Sequence, residues 1–324
     1  MKSLVEIQEY VAKLFESENF KKQPLALYEP FQYTMDLGGK RLRPLLTLIA
    51  ADMFGAELDD AANVAMAVEL AHNFTLLHDD IMDESPLRRG KPTVYQKFGI
   101  DKAILSGDVM YSKAYEYLLQ SDTKKIPALV KTMTSVLVQV CEGQAYDMNF
   151  EHRSDITQKE YITMISLKTA VLLAACLKMG AIVAGADKKS MNALSEFGLY
   201  LGIAFQLQDD ILDCWSNLAE FGKVIGSDIA DNKKTILFLS AVEKADEKDM
   251  QELVTWYLEK TTDFQKKKQR VIELFEKYNV KDDVEQMIGA YTIQAIDALD
   301  KMDIEDEKKE NLRTLAKQLI NRNK

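Results

Sequence analysis

Six aspartates are the residues of this sequence best placed to do chemistry. Asp79, Asp80 and Asp83 fall within the segment HDDIMDESPLRRGKPT (78–93), and the pattern returns as Asp209, Asp210 and Asp213 in DDILD (209–213). On a helix, residues i and i+4 share a face, so Asp79 points with Asp83 and Asp209 with Asp213, each pair with a third carboxylate on its flank. Both groups close an apolar helical stretch, where the helix dipole already places partial negative charge, so each is unfavourable until a cation joins it. Carboxylate oxygens with no supporting His or Cys pattern are what Mg²⁺ takes, and Mg²⁺ keeps positions for water and phosphate oxygens. A calcium-binding EF-hand is excluded, because its alternating ligands, central glycine and terminal glutamate are missing. One such motif would equally suit an exposed acidic helix end. Two copies, each followed by a loop with glycine and basic residues, favour a phosphate ligand bridged by Mg²⁺ between two helices.

Cations are clustered where such a ligand would need them. GGKRLRP (38–44) places Lys40 and Arg43 behind two glycines that let the backbone approach a ligand closely, although an ordinary turn opening a helix reads the same way. His72 precedes Asp79 by seven residues, about two helical turns, on the same face; a histidine satisfied in the core is the plainer alternative. Lys168 interrupts the apolar ISLKTAVLLAA, either to serve a ligand or as a lysine with a buried stem whose head reaches water. Two acidic clusters with fixed cations around them imply pyrophosphate chemistry. The run QKKKQR (265–270) reads as a solvated helix face.

The elements that carry these residues are helices. All six prolines lie at or before Pro127, and apolar residues recur at helical spacing in AANVAMAVELAHNFTLLHDDIM, SEFGLYLGIAFQLQDDILDCW and VIELFEKY. The β-branched VKTMTSVLVQV is ambiguous and reads as helix with its neighbours; no strand pair with a hairpin signal is visible. Loops are marked at LGGKRLRP, RRGKPT and EFGKVIGSDIADNKKT. With no linker rich in Gly, Pro or Ser, residues 1–324 read as one all-α domain. At 47% hydrophobic and 28% charged, the chain is expected to be soluble and globular, and its net charge of −10 argues against a nucleic-acid partner. Cys141, Cys176 and Cys214, at unrelated spacings, suit reduced thiols in the cytoplasm. The N-terminus lacks the apolar run of a signal peptide. The most apolar region, 162–186, holds only nine uncharged residues between Lys168 and Lys178, so no integral membrane segment is expected.

Taken together, GGKRLRP, HDDIMDESPLRRGKPT, LKT (167–169), FQLQDDILD (205–213) and GKVIGSDIADNKKT (222–235), in this order, resemble the trans-type isoprenyl diphosphate synthases, the family of farnesyl and geranylgeranyl diphosphate synthases. The resemblance implies the isoprenoid synthase fold, a helical bundle around a central substrate cavity, usually in a homodimer. By position it implies that Asp79, Asp83 and Asp209 ligate three Mg²⁺ ions directly, with Asp80, Asp210 and Asp213 in support. Arg88, Lys168, Lys223 and Lys233 would contact the diphosphate of an allylic substrate (dimethylallyl, geranyl or farnesyl diphosphate). Lys40, Arg43, His72 and Arg89 would hold the diphosphate of isopentenyl diphosphate, and Thr169 and Gln206 would lie beside the allylic carbon. The implied reaction is ionisation of the allylic substrate with charge stabilised on the departing diphosphate, attack of the isopentenyl double bond on the cation, and loss of a proton.

Product length is read from the helix that leads to Asp79. Ala67, Ala71 and Phe74 form one stripe at i, i+4 and i+7, and Phe74 lies five residues, about 7.5 Å, before Asp79. A bulky residue at this position resembles the short-chain members of the family and points to fifteen or twenty carbons, with twenty favoured because Thr75 is not aromatic. Ordinary core packing is the alternative role for Phe74. A longer-chain synthase keeps the same motifs. A class I terpene cyclase would lack GGKRLRP and carry a different second motif, and a non-catalytic partner subunit would have lost aspartates that are all present here.

Overall fold

The computed structural model describes residues 1–216, 226–258 and 263–320 of the 324-residue chain. In chain order the helices are α1 (Leu4–Glu16), α2 (Leu25–Asp36), α3 (Leu42–Met53), α4 (Leu58–Met82), α5 (Val94–Phe98), α6 (Ile100–Leu118), α7 (Ile126–His152) and α8 (Gln158–Ile165). A π-helical turn, Ser166–Ala170, leads into α9 (Val171–Ala184), followed by α10 (Lys188–Trp215), α11 (Ser227–Ala230), α12 (Ile236–Lys244), α13 (Glu247–Leu258), α14 (Phe264–Lys277), α15 (Val280–Asp300) and α16 (Asp306–Ile320). The ambiguous VKTMTSVLVQV segment is helical, inside α7.

These helices form two compact units. The first comprises Met1–Val138, Leu172–Gly198 and Asp297–Leu315; the second comprises Gln139–Val171, Leu199–Ile296 and Ala316–Lys324. In the first unit α3 is buried on every face from Pro44 to Met53, as a helix that is apolar all round must be. The 25-residue α4, about 37 Å long, packs against α3 and α6. Its buried side is lined with small residues, among them Ala61, Ala65, Ala67 and Ala71, and it ends at the first aspartate motif, with Asp83 as its C-cap. In the second unit a core that includes Phe150, Tyr161, Leu207, Ile211, Leu237 and Phe275 gathers α8, the end of α10 and α12 to α14. The entry to α8 is fixed by a capping box: the Thr157 side chain accepts from the Glu160 N–H, and the Glu160 carboxylate accepts from the Thr157 N–H.

Three sequence expectations change. A hairpin is present after all: β1 (Leu87–Arg88) pairs antiparallel with β2 (Lys91–Pro92), with Arg88 opposite Lys91. Its two-residue turn, Arg89–Gly90, has positive φ at both positions, 54° and 74°, which is the primed turn that matches strand twist. The signal was missed because arginine takes the place usually held by Asn, Asp or Gly. QKKKQR is not wholly solvated: Lys267 is 2% exposed, its ammonium bonded to the Asn232 side chain and 5.2 Å from the Tyr257 ring centre. Lastly, Gln158–Ala184 is continuous helix long and apolar enough, by length and composition, to cross a membrane. Since 56% of its most apolar window is buried within the protein, it meets that test as a core helix also does.

Candidate active site

In the first unit the hairpin and the end of α4 form one structure. Arg88 Nε and Nη2 donate to both oxygens of Asp80 at 2.6–2.9 Å, and the two side chains are 21% and 4% exposed. Burial pushes the Asp80 carboxyl up, against the pull of the Arg88 fork. For Arg88, burial opposes the charge and the bonds to Asp80 outweigh it, so its pKa lies above the usual guanidinium value. Asp79 and Asp83, one turn apart and linked by the Asp83 N–H to Asp79 carbonyl bond at 2.8 Å, are only half-buried. The motif therefore divides by face: Asp80 turns inward to the hairpin, and the two carboxylates flanking it reach solvent.

A second cluster in the same unit gathers around His72. Its pKa is held well below the usual imidazole value, first by burial and then by the charges of Arg43, Arg89, Arg88 and Arg41. A ring that stays neutral among four guanidiniums adds donors without adding charge. Arg43 is itself lowered by burial, and its Nε is buried with no hydrogen-bond partner among the described residues. Arg89 donates to the Gly38 carbonyl, which brings the hairpin turn onto the GGKRLRP loop; Lys40 is exposed in that loop. Buried donors and repelling cations in one place are costly to maintain. They suit an anion such as a diphosphate, which would satisfy them all.

Sequence reading missed the residue that orders this cluster. Arg41, the N-cap of α3, has left-handed backbone, φ 46°. Its guanidinium donates to Glu69 at 2.6 Å and to the Met35 carbonyl at 2.7 Å, and stacks 4.6 Å from the Phe15 ring centre. Glu69, 2% exposed, also accepts from Asn73 at 3.1 Å. An arginine next to Lys40 and a glutamate inside an apolar helix carried the signal, since a charge so placed needs a partner.

In the second unit the motif residues form a chain. Thr169 Oγ1 donates to Gln206 Oε1 at 3.1 Å, Gln206 Nε2 donates to Asp210 Oδ1 at 3.2 Å, and the buried Tyr161 hydroxyl donates to Asp210 Oδ2 at 2.6 Å. Burial first, and Asp228 second, push the Asp210 carboxyl well above the usual range. Asp213 accepts from the Ser227 hydroxyl at 2.7 Å and the Asp228 N–H at 3.1 Å, which anchors the loop after the motif. Asp209 is half-buried. Lys168 donates to Asp147 at 2.6 Å. Lys234 donates to the Phe150 and Glu151 carbonyls at 2.8 and 2.9 Å. Lys223 lies outside the described residues. Tyr161, Asp147 and Asp228 were not singled out from sequence, because partners far apart in the chain leave no spacing to read.

The Ala67–Ala71–Phe74 stripe is placed on α4 with both alanines fully buried and Phe74 half-buried. Phe74 meets the Tyr111 ring of α6 edge-on at 5.3 Å and His78 at 4.9 Å. Among the described residues no three His, Cys, Asp or Glu side chains are gathered closely enough to hold an ion by themselves. That donor set fits Mg²⁺ bound with a substrate, because Mg²⁺ is commonly held by one or two carboxylates and completed by phosphate oxygens and water. Asp79, Asp83 and Asp209 are the half-buried carboxylates of the two motifs.

Comparison with known proteins gives the family and the fold. The polyprenyl synthetase family model matches residues 24–275. A short chain isoprenyl diphosphate synthase of Methanothermobacter thermautotrophicus is 41% identical over 256 residues, covering 79% of this chain and 78% of the relative. A crystal structure of geranylgeranyl pyrophosphate synthase superposes with a TM-score of 0.94 at 42% identity, over 99% of each chain. The polyprenyl synthase of Caulobacter crescentus, solved with calcium and isoprenyl diphosphate, superposes with a TM-score of 0.88 at 30% identity, over 99% of this chain and 98% of its own. The all-helical fold is thus the isoprenoid synthase fold. With the family model matched across most of the chain and both aspartate motifs carried at helix ends, the chain belongs to the polyprenyl synthetase family, the isoprenyl diphosphate synthases.

Proposed function

We propose that this protein is a short-chain trans-prenyltransferase that condenses isopentenyl diphosphate with an allylic diphosphate and releases diphosphate, with geranylgeranyl diphosphate as its main product. The observation that carries the reading is the twofold acidic motif, in which Asp80 is bonded to the Arg88 fork, Asp210 to Tyr161 and Gln206, and Asp213 to Ser227 and the Asp228 N–H, while Asp79, Asp83 and Asp209 are half-buried. The arginine cluster around a neutral His72 supplies the complementary anion site. The twenty-carbon product is supported by the bulky Phe74 before the first motif and by the named product of the structural neighbour.

Arg43, His72 and Arg89, with Lys40 at the rim, bind the diphosphate of isopentenyl diphosphate and fix its double bond for attack. His72 stays neutral and acts as a hydrogen-bonding partner, since the four guanidiniums oppose its protonation. Lys168, Lys233 and Lys223 bind the allylic diphosphate and meet the charge that grows on it as the C–O bond breaks. Arg88 does so from its fork with Asp80, since a guanidinium has five N–H donors and the carboxylate does not use them all. Thr169 and Gln206, tied to each other, turn a polar edge to the allylic carbon. Asp79, Asp83 and Asp209 would hold the three Mg²⁺ ions, which would supply charge neutralisation of the leaving group when bound. The neighbour solved with calcium and isoprenyl diphosphate supports a divalent ion in this role.

A homodimer in the cytoplasm completes the proposal. Ile100, Ile104 and Leu105, exposed on the first turns of α6, give a second copy apolar surface to cover, and the three cysteines are free thiols. The test is incubation of the purified protein with Mg²⁺, isopentenyl diphosphate and each of dimethylallyl, geranyl and farnesyl diphosphate, with the dephosphorylated products sized by chromatography. A ladder stopping at twenty carbons is expected. Products beyond thirty carbons would overturn the short-chain reading, and no elongation from any primer would overturn the reaction.

A further inference from the structure

The lysine and threonine of LKT sit in the π-helical turn Ser166–Ala170, and one device, used twice, seats that turn within the second unit. On α7, a Cβ at Gly143 would fall 2.3 Å from the Lys168 backbone nitrogen, so only a glycine admits the turn at this distance. One helical turn further on, Asp147 accepts from the Lys168 ammonium at 2.6 Å. On α10, a Cβ at Gly202 would fall 2.5 Å from the Ala170 Cα, and one turn further on Gln206 accepts from Thr169 at 3.1 Å. Each helix is thus brought to backbone contact by a glycine, and the residue at i+4, on the same face, takes hold of the adjacent side chain. Gln206 and Thr169 belong to the motifs described above; Asp147 does not.

We infer that Asp147 is a positioning residue that holds the Lys168 ammonium in the orientation from which it meets the allylic diphosphate. The inference rests on the assignment of Lys168 to that diphosphate. Both side chains are 21% exposed, so the pair is shielded more than a surface ion pair and its geometry is kept. An ammonium has three donors, so the bond to Asp147 does not exclude a diphosphate oxygen. Lysine otherwise has a flexible four-carbon stem, and a lysine free to swing would meet the growing charge in only a fraction of its rotamers. A π-helical turn is an uncommon conformation found at functional sites, and Gly143 fixes its distance from the helix that bears Asp147.

The experiment is a double-mutant cycle on kcat with Asp147→Asn and Lys168→Met, read with KM for each substrate. Asp147→Asn alone is expected to lower kcat about tenfold and to leave KM for isopentenyl diphosphate within about twofold. In the Lys168→Met background it is expected to cost nothing further, within about twofold, because there is no ammonium left to hold. Asp147→Glu, which keeps the charge in a larger side chain, is expected to recover most of the loss, and Asp147→Ala takes the place of Asp147→Asn in the same cycle should Asp147→Asn fail to fold. Equal losses in both backgrounds, or wild-type kcat in Asp147→Asn, would overturn the inference while leaving the reaction standing. Absence of turnover in the wild-type chain would overturn the reaction and this inference with it.

Discussion

Arg88 is the residue through which the first aspartate motif is bound to its basic hairpin, and its removal separates the two functions of charge in that motif. Asp80 is 4% exposed at its side chain, so Arg88→Ala would leave a buried carboxylate without its counter-ion. Breaking a buried pair in this way costs roughly 3–5 kcal/mol, and the partial exposure of Arg88 points to the lower end. Urea unfolding with the divalent metal chelated is expected to show a loss of about 3 kcal/mol; Arg88→Lys, which cannot fork, should recover only part of it. His72 is tested by pH. Its pKa in the folded chain lies well below the reference value of 6.5, because of burial and the surrounding guanidiniums. As pH falls below about 6.5 the unfolded chain takes up a proton that the folded chain refuses, so this residue's contribution to stability falls with pH and levels off below the folded value. Stability measured from pH 7.5 to 5 is expected to drop more steeply in the wild type than in His72→Gln, by up to about 1.4 kcal/mol per pH unit. Equal slopes would mean that His72 is not held neutral.

At the scale of elements, α4 performs two tasks, carrying Asp79 at one end and the Phe74 stripe before it. If Phe74 limits the growing chain, Phe74→Ala is expected to shift the main product upward by one or more five-carbon units, as read by chromatography of the dephosphorylated products. Phe74 also packs edge-on against Tyr111, so the same change should lower stability by about 2–3 kcal/mol, below the cost of a fully buried aromatic. Lost stability with unchanged product length would leave Phe74 as a packing residue only. The helices themselves were legible in the sequence, since the 3.6-residue period of AANVAMAVELAHNFTLLHDDIM is set by burial and burial dominates folding. What was not legible depends on partners distant in sequence. Lys267 reads as one of three surface lysines until Asn232 and Tyr257 are brought to it, and the hairpin turn hides because Arg89 adopts a backbone that arginine seldom takes. The aspartates could be found because their spacing is local to one helix; Asp147 and Tyr161 could not, because they act from other elements.

For the whole molecule, a net charge of −10 opposes binding of a polyanion, so affinity for diphosphate must come from local charge and from the metal. The arginines around His72 are Arg41, Arg43, Arg88 and Arg89, and of these Arg41 pairs with Glu69 and Arg88 with Asp80. The half-buried aspartates would repel pyrophosphate unless a divalent ion were bound with it. The expectation is therefore cooperative: Mg²⁺ alone and pyrophosphate alone should each change the unfolding temperature little, and the two together should raise it clearly. A ligand at one hundred times its Kd stabilises the folded state by about 2.7 kcal/mol, which for a chain of this size corresponds to a rise of about 4 °C. Thermal unfolding in the four combinations of Mg²⁺ and pyrophosphate, with chelator as control, measures this directly. A full shift from pyrophosphate without metal would assign its binding to the arginine cluster alone and remove the aspartates from the diphosphate site. A shift that needs both would tie the acidic motifs and the metal to one ligand, and Asp79→Ala should then abolish it while leaving unfolding of the unliganded protein nearly unchanged, since Asp79 is the half-buried neighbour of the buried Asp80.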